Sequence, residues 1–128
     1  MRKTLFKEIR LLPTHFDLDV LVSSCEKTAR LFISERYLDF PGDNEQVINT
    51  VNVLPLEVNN KQCEPRILLV LENLRDKAIL AHELIHVLWA LSELVGTEMS
   101  KDSQEWQAHM VSYLFQEIID IPKNCKVL

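Results

Sequence analysis

The stretch Ala81-His82-Glu83-Leu84-Ile85-His86 lies inside a long segment, Leu74 to Val95, in which apolar residues recur at helical spacing. On a helix, His82 and His86 stand one turn apart on the same face, where two imidazoles can share a metal ion. Glu83 lies beside this pair without belonging to it, which is the position of a general base for a metal-activated water. The pattern predicts a zinc site; the alternative is two polar residues on the exposed face of a core helix.

The ends of this segment carry helix boundary signals. Asn73, followed three residues later by Asp76, is a capping pattern at the start, and Gly96 follows the last apolar residue. We therefore predict one helix from about Leu74 to Val95.

The composition indicates one soluble domain over residues 1–128, because 47% hydrophobic and 26% charged residues fit neither a disordered nor a membrane chain. The 14 Lys and Arg residues against 19 Asp and Glu residues do not cluster, which argues against a nucleic-acid partner. No signal peptide and no apolar run of bilayer length are apparent, so no membrane partner is expected. An odd set of cysteines without a C-x-x-C pattern predicts a cytoplasmic location: Cys25, Cys63 and Cys125.

The first third of the chain contains two segments that the sequence assigns separately. Residues 5–12 form a short apolar mixture that ends at Pro13 and predicts an edge strand or an ordered arm. From Asp17 to Tyr37, alternation through Leu18 and Val20 is typical of a strand, but a longer apolar stripe at helical spacing favours a helix. We expect this helix to pack across the back of a sheet.

Extended segments are predicted in the middle of the chain. Residues 39–44 are dense in turn formers, and Val47 to Val58 and Ile67 to Leu71 are rich in strand-forming residues. Residues 59–66 between them are predicted to connect a hairpin. Pro55 places the first strand at a sheet edge, which can be an ordinary capped edge or can accept an extended peptide.

A last helix is predicted after the motif helix. It begins at Asp102 or Ser103, ends at about Asp120 or Ile121, and is stopped by Pro122. Its predicted buried residues are Trp106, Met110, Tyr113, Leu114 and Ile118.

A catalytic zinc ion needs three protein ligands and one open position, so one ligand is still to be found. The candidates are Glu105 and His109, which are four residues apart on the predicted last helix and can face the motif helix together. Cys125, in the C-terminal tail, is a further candidate for the open position.

His86 and Glu105 are separated by 18 residues, and here the chain resembles the gluzincin metallopeptidases, in which H-E-x-x-H is followed on the next helix by a glutamate ligand. Motifs support the resemblance from Leu68 to Tyr113. The chain is also similar to minimal gluzincin scaffolds and to short phage-borne metallopeptidases. The resemblance implies an α+β, zincin-like domain with a backing helix, a small mostly antiparallel sheet, the active-site helix and a glutamate helix. It also implies Zn²⁺ on His82, His86 and Glu105.

The sequence departs from this family at one site position. Many members carry an acidic residue four positions after the glutamate ligand, where this chain has His109. His109 can act as a ligand, as a donor to the developing oxyanion, or as a surface histidine. The aminopeptidase G-x-M-E-N segment is not matched, because the chain has only Leu71-Glu72-Asn73, so exopeptidase activity is not expected.

The predicted function is hydrolysis of peptide bonds in a peptide or protein substrate, with Glu83 as general base and His109 as a second catalytic candidate. The alternatives are a catalytically inactive zinc-binding or interaction module that keeps the gluzincin shell, and a plain interaction domain with a coincidental motif.

Overall fold

The computed structural model describes residues 4–37, 45–58, 61–96, 100–124 and 126–127, and within them the chain is an α+β protein. The strands are β1 (Leu5–Arg10), β2 (Asp17–Val22), β3 (Thr50–Val58), β4 (Lys61–Leu71) and the two-residue β5 (Lys126–Val127). The helices are α1 (Glu26–Arg36), α2 (Lys77–Val95), α3 (Gln104–Ile119) and the single turn α4 (Ile121–Asn124), with a 3₁₀ turn at Lys101–Ser103 before α3.

The strands form one mixed sheet in the order β3-β4-β2-β1-β5. β2 and β4 run parallel, with Leu18 opposite Ile67 and Val22 opposite Leu71. The other three pairings are antiparallel, so the expected small and mostly antiparallel sheet is present. Its centre is a parallel pair that the sequence did not indicate.

Successive residues of the central strands point to opposite faces of the sheet, and each face has its own core. Val20 and Leu69 pack on the face covered by α2 and α3. Leu21 and Leu68 pack on the other face against Ala29 and other residues of α1. α1 therefore packs on the back of the sheet, as expected, and α2 lies on the opposite face.

The predicted helix from Asp17 to Tyr37 is wrong in its first half. Residues 17–22 form strand β2, and only Glu26–Arg36 is helical. β2 lies between two other strands and is covered on both faces, so Leu18 to Val22 are all buried. A strand buried on both sides reads as a continuous apolar run, which a helical stripe imitates. The alternation through Leu18 and Val20 was the correct signal.

The predicted hairpin is confirmed, with a shorter first strand and a longer second strand than expected. β3 begins at Thr50 rather than Val47, and β4 begins at Lys61 rather than Ile67. β3 is the terminal strand, and Pro55 lies opposite Pro65 at a register irregularity, consistent with the tolerance of a sheet edge for proline. The predicted loop at 39–44 lies outside the described residues.

The motif helix is confirmed as α2, with a shifted start. The side chain of Asp76, not Asn73, caps it by accepting a hydrogen bond from the Ile79 N–H at 3.1 Å. Gly96 ends the helix in the left-handed region at φ 73°, where glycine carries no steric penalty. α2 is also long and apolar enough to cross a bilayer, contrary to the sequence expectation, although one of its faces packs against the sheet.

The last helix ends as α3 at Ile119, and the chain then makes the further helical turn α4, which contains Pro122. Met110, Leu114 and Ile118 are buried as predicted, whereas Trp106 is half-buried and Tyr113 is 41% exposed. The expectation that Tyr113 is part of the core is therefore wrong. Tyr113 lies about 100° around the helix from Leu114, at the border of the apolar face.

Candidate metal centre

The two histidines of the motif lie on the outer face of α2. The helix buries Leu80, Leu84 and Leu88 against the sheet, and each fully buried leucine contributes about 1.5–3 kcal/mol. At 100° per residue, this apolar stripe directs His82 and His86 to the opposite side, where both are exposed. The core face of α2 therefore determines where the imidazoles point.

The His82 and His86 rings are already together. Their Nε2 atoms are 3.2 Å apart, and the ring planes meet at 64°. At Zn–N distances of about 2.0–2.1 Å, two ligands on a tetrahedral zinc ion are about 3.3–3.4 Å apart. The separation suits either an N–H···N hydrogen bond or two nitrogen lone pairs directed at one cation. This donor pair fits zinc.

Glu83 differs from the histidines because it is buried. Its residue is 7% exposed, and its one ion-pair contact among the described residues is with His82 Nε2, 4.0 Å from Oε1. Among the described residues, the Glu83 carboxylate accepts no hydrogen bond. The side chain is 10% exposed, and its oxygens are not among the fully enclosed atoms of the described residues that have no partner, so the carboxylate keeps some contact with solvent. The Glu83 carboxylate is therefore a proton acceptor beside the histidine pair. At 4.0 Å from His82 Nε2, its Oε1 atom is too far away to be a ligand of the same tetrahedral zinc ion.

Among the residues that the structure describes, no third ligand accompanies this pair. Among the described residues, no three side chains of the His, Cys, Asp and Glu types are grouped as a metal site. α2 continues for nine residues beyond His86, which is about 13 Å along the axis, before the chain turns. Glu105 is the second residue of α3 and, like His109, is exposed. Their assignment as ligand and as catalytic group therefore stays a prediction.

The remaining candidates are His15, the fourth histidine of the chain, and Cys125. His15 is exposed and forms an ion pair with Glu64 at 3.3 Å, consistent with an incidental polar residue. Cys125 lies outside the described residues, so its predicted contact with the metal is untested.

A second polar cluster, on the α1 face of the sheet, was missed by the sequence analysis. Asp19 is fully buried in β2 and accepts hydrogen bonds from Arg66 Nη2 at 2.6 Å, from Arg66 Nε at 2.9 Å and from the Tyr37 hydroxyl. Arg36 Nε lies 3.6 Å from Asp19 and has no hydrogen-bond partner among the described residues. An aspartate in the middle of an otherwise apolar strand was the available signal.

The protonation of this cluster follows from its burial and charges. Burial, followed by the charge and hydrogen bond of Asp19, raises the pKa of the Tyr37 phenol well above its usual range. Burial lowers the pKa of the Arg66 guanidinium, but the hydrogen bonds and charges of Asp19 and its neighbours raise it by more. Tyr37 stays a donor and Arg66 stays a cation, so the oxygens of Asp19 are satisfied in a structural network, whereas Arg36 Nε is not.

Comparisons with protein-family models, with curated proteins and with solved structures found no match to this chain. The functional argument therefore depends on the geometry of the His82, Glu83 and His86 side chains.

Proposed function

We propose that this protein is a zinc-dependent metallopeptidase with a zincin-like scaffold. The observation that carries the proposal is the combination of two imidazole nitrogens 3.2 Å apart with a nearly buried, unpaired carboxylate 4.0 Å from one of them. The other residues that α2 buries from Leu80 to Leu91 are all apolar, so helix packing does not account for a carboxylate at position 83. The same arrangement places two ligands and a proton acceptor where metal-assisted hydrolysis uses them.

In this proposal, His82, His86 and Glu105 hold Zn²⁺, which supplies Lewis-acid activation of the attacking water and the substrate carbonyl. Glu83 takes a proton from the water and delivers it to the leaving amine. His109 donates a hydrogen bond to the developing negative charge on the carbonyl oxygen. Because α2 extends beyond the motif, the roles of Glu105 and His109 require the first turns of α3 to approach His86.

A peptide substrate is supported by the edge of the sheet next to α2. β3 is the terminal strand, and the alternate residues Val51 and Val53 lie on the α2 side of the sheet, with Val53 40% exposed. On α2, Ile85 and Trp89 are 47% and 56% exposed, close in sequence to the histidines. A strand edge can pair with an extended peptide, and apolar side chains beside it can accept peptide side chains.

The direct test combines metal analysis with peptide-library cleavage. We expect zinc in the purified wild-type protein and reduced zinc in His82→Ala. We expect Glu83→Gln to retain zinc but to lose activity by a factor of about 10²–10⁴, because only the proton acceptor is removed. Glu93→Gln, on the exposed surface of the same helix, is the matched control and should cleave like the wild type.

The second candidate function is a catalytically inactive zinc-binding or interaction module. It is favoured by the two-ligand arrangement, because no third donor joins the pair in the described structure. Zinc binding without cleavage by either wild type or Glu83→Gln would select this module. Full metal content in His82→Ala would rule out both candidates.

Alanine variants distinguish the roles of Glu105 and His109. Glu105→Ala should lower zinc affinity if Glu105 is the third ligand, and His109→Ala should lower the turnover rate without changing zinc content if His109 is only a donor. The reverse result would assign the third ligand to His109.

A further inference from the structure

The adjacent parallel strands β2 and β4 lead to helices on opposite faces of the sheet. β2 continues into α1 on one face, and β4 continues into α2 on the other. A hydrogen bond of 2.9 Å from the Ser23 N–H to the Leu71 carbonyl links the two connections where they separate. In open sheets, the carboxyl ends of such a strand pair border a crevice, and ligands bind there.

A cleft of about 360 Å³ lies at this position. Its volume is within the range of about 300–1,000 Å³ for small-molecule sites. Val22, Leu74 and Pro122 supply an apolar lining, and Ser24, Glu72 and Arg75 supply polar groups. None of these residues belongs to the histidine motif or to the Asp19 cluster.

The charged residues of the cleft have opposite signs and are not paired within the described part of the chain. Neither the Arg75 guanidinium nor the Glu72 carboxylate makes a hydrogen bond or ion pair there, and both residues are exposed. Their backbone is held in place, because the Glu72 N–H donates to Asn49 Oδ1 at 3.1 Å and the Arg75 N–H donates to Asn73 Oδ1 at 2.9 Å. An anchored loop therefore presents one cation and one anion beside an apolar surface.

We propose that this cleft binds a small zwitterion with an apolar side chain, namely a free apolar amino acid or a dipeptide. Arg75 binds the carboxylate through its two parallel N–H groups, and Glu72 binds the ammonium group. Val22, Leu74 and Pro122 contact the apolar side chain. This proposal does not depend on the peptidase function.

Calorimetric titration with four probes tests the proposal: leucine, leucyl-leucine, N-acetyl-leucine and leucinamide. We expect leucine, leucyl-leucine or both to bind, and the comparison between them measures which spacing of charges fits. N-acetyl-leucine and leucinamide each lack one charge and should bind about tenfold more weakly, because each loses one charge-assisted hydrogen bond.

Variants of the cleft residues test which charged group of the probe each side chain binds. Arg75→Gln should abolish the preference for leucine over leucinamide, and Glu72→Gln should abolish the preference for leucine over N-acetyl-leucine. Ser24→Phe, which places a ring in the cleft, should weaken all four probes. Lys101→Gln, an exposed basic residue before α3, is the matched control and should change nothing. Unchanged circular dichroism verifies that each variant is folded.

The titrations are repeated in His82→Ala so that probe binding at the metal motif is excluded. Binding that disappears in His82→Ala would overturn the proposal, as would the absence of binding for all four probes at millimolar concentration. A ranking of the probes that is the same in wild type, Arg75→Gln and Glu72→Gln would also overturn it. None of these results bears on peptide cleavage by the wild type.

Discussion

Two buried carboxylates, Asp19 and Glu83, lie on opposite faces of the same sheet and have opposite surroundings. Asp19 is fully buried on the α1 face and accepts hydrogen bonds from Arg66 and Tyr37. Glu83 is 7% exposed on α2, accepts no hydrogen bond among the described residues, and has His82 Nε2 at 4.0 Å.

The difference separates a structural carboxylate from a candidate reactive one. A buried charge that is saturated with donors stabilises one arrangement of the chain, and its lone pairs are already used. A carboxylate that accepts no hydrogen bond from the surrounding residues keeps its oxygens available to accept a proton. We infer that the Asp19 network maintains the sheet, whereas the Glu83 oxygens remain available for chemistry.

The largest expected effect is the loss of the Asp19 charge. Asp19→Asn should lower the free energy of unfolding by about 3 kcal/mol, because Arg36 and Arg66 keep their charges without the carboxylate between them. The value is at the low end for a buried ion pair because both arginines retain some solvent contact. Urea unfolding measures the change, with Asp17→Asn, a more exposed neighbour, as the control. An equal loss in both variants would contradict the central role of Asp19.

Zinc should produce the next largest change, on the Glu83 side of the sheet. At a free zinc concentration of about 100 times the Kd, the free energy of unfolding should rise by about 2.7 kcal/mol. His82→Ala should abolish this increase in thermal unfolding, and His15→Ala, at an exposed histidine away from the motif, should retain it. Stabilisation that survives in His82→Ala would place the zinc elsewhere.

Alkaline pH should reduce the contribution of Tyr37 to the free energy of unfolding. Burial and the Asp19 charge raise the pKa of Tyr37 in the folded protein above the unfolded value of about 10. This contribution to stability is complete below pH about 10 and is lost as pH rises further, by about 1.4 kcal/mol at pH about 11. Tyr37→Phe should show a smaller alkaline loss than wild type in urea unfolding. Tyr113→Phe, at an exposed phenol, should keep the full loss.

The smallest effect, but the sharpest comparison, comes from neutralising Glu83. Glu83→Gln should change the free energy of unfolding by less than about 0.5 kcal/mol, because the Glu83 carboxylate has no hydrogen bond to lose among the described residues and keeps some contact with solvent. The isosteric change at Asp19 lowers stability, so the two variants should differ clearly when they are measured side by side without metal. A decrease of similar size at both positions would mean that Glu83 is also a structural carboxylate.

Part of this arrangement follows from local sequence patterns. The four-residue spacing of His82 and His86 brings their rings together as soon as the segment is helical, and the apolar stripe of α2 directs them outward. The β3–β4 hairpin and the edge position of Pro55 were also predictable, because they depend on neighbouring residues and on the missing N–H of proline.

The centre of the sheet was not predictable in the same way. The sequence predicts a helix over β2 because the apolar run of a strand covered on both faces resembles a helical stripe and outweighs the short alternation through Leu18 and Val20. Its parallel pairing with β4, and therefore the cleft beyond Val22, depends on residues about fifty positions apart. The Asp19 network has the same origin, since Arg66 and Tyr37 reach Asp19 only after α1 and β4 have packed on β2.

The spacing of the histidines, the place of Glu83 beside them and the helix that carries all three can be predicted from the chain alone. Periodicity and capping operate within a few residues, so they are readable along the chain. Tertiary packing was needed to show that, among the described residues, Asp19 accepts several hydrogen bonds whereas the Glu83 carboxylate accepts none, and that β2 pairs in parallel with β4. These outcomes depend on how whole elements pack, because burial and hydrogen-bond partners are supplied by residues distant in sequence.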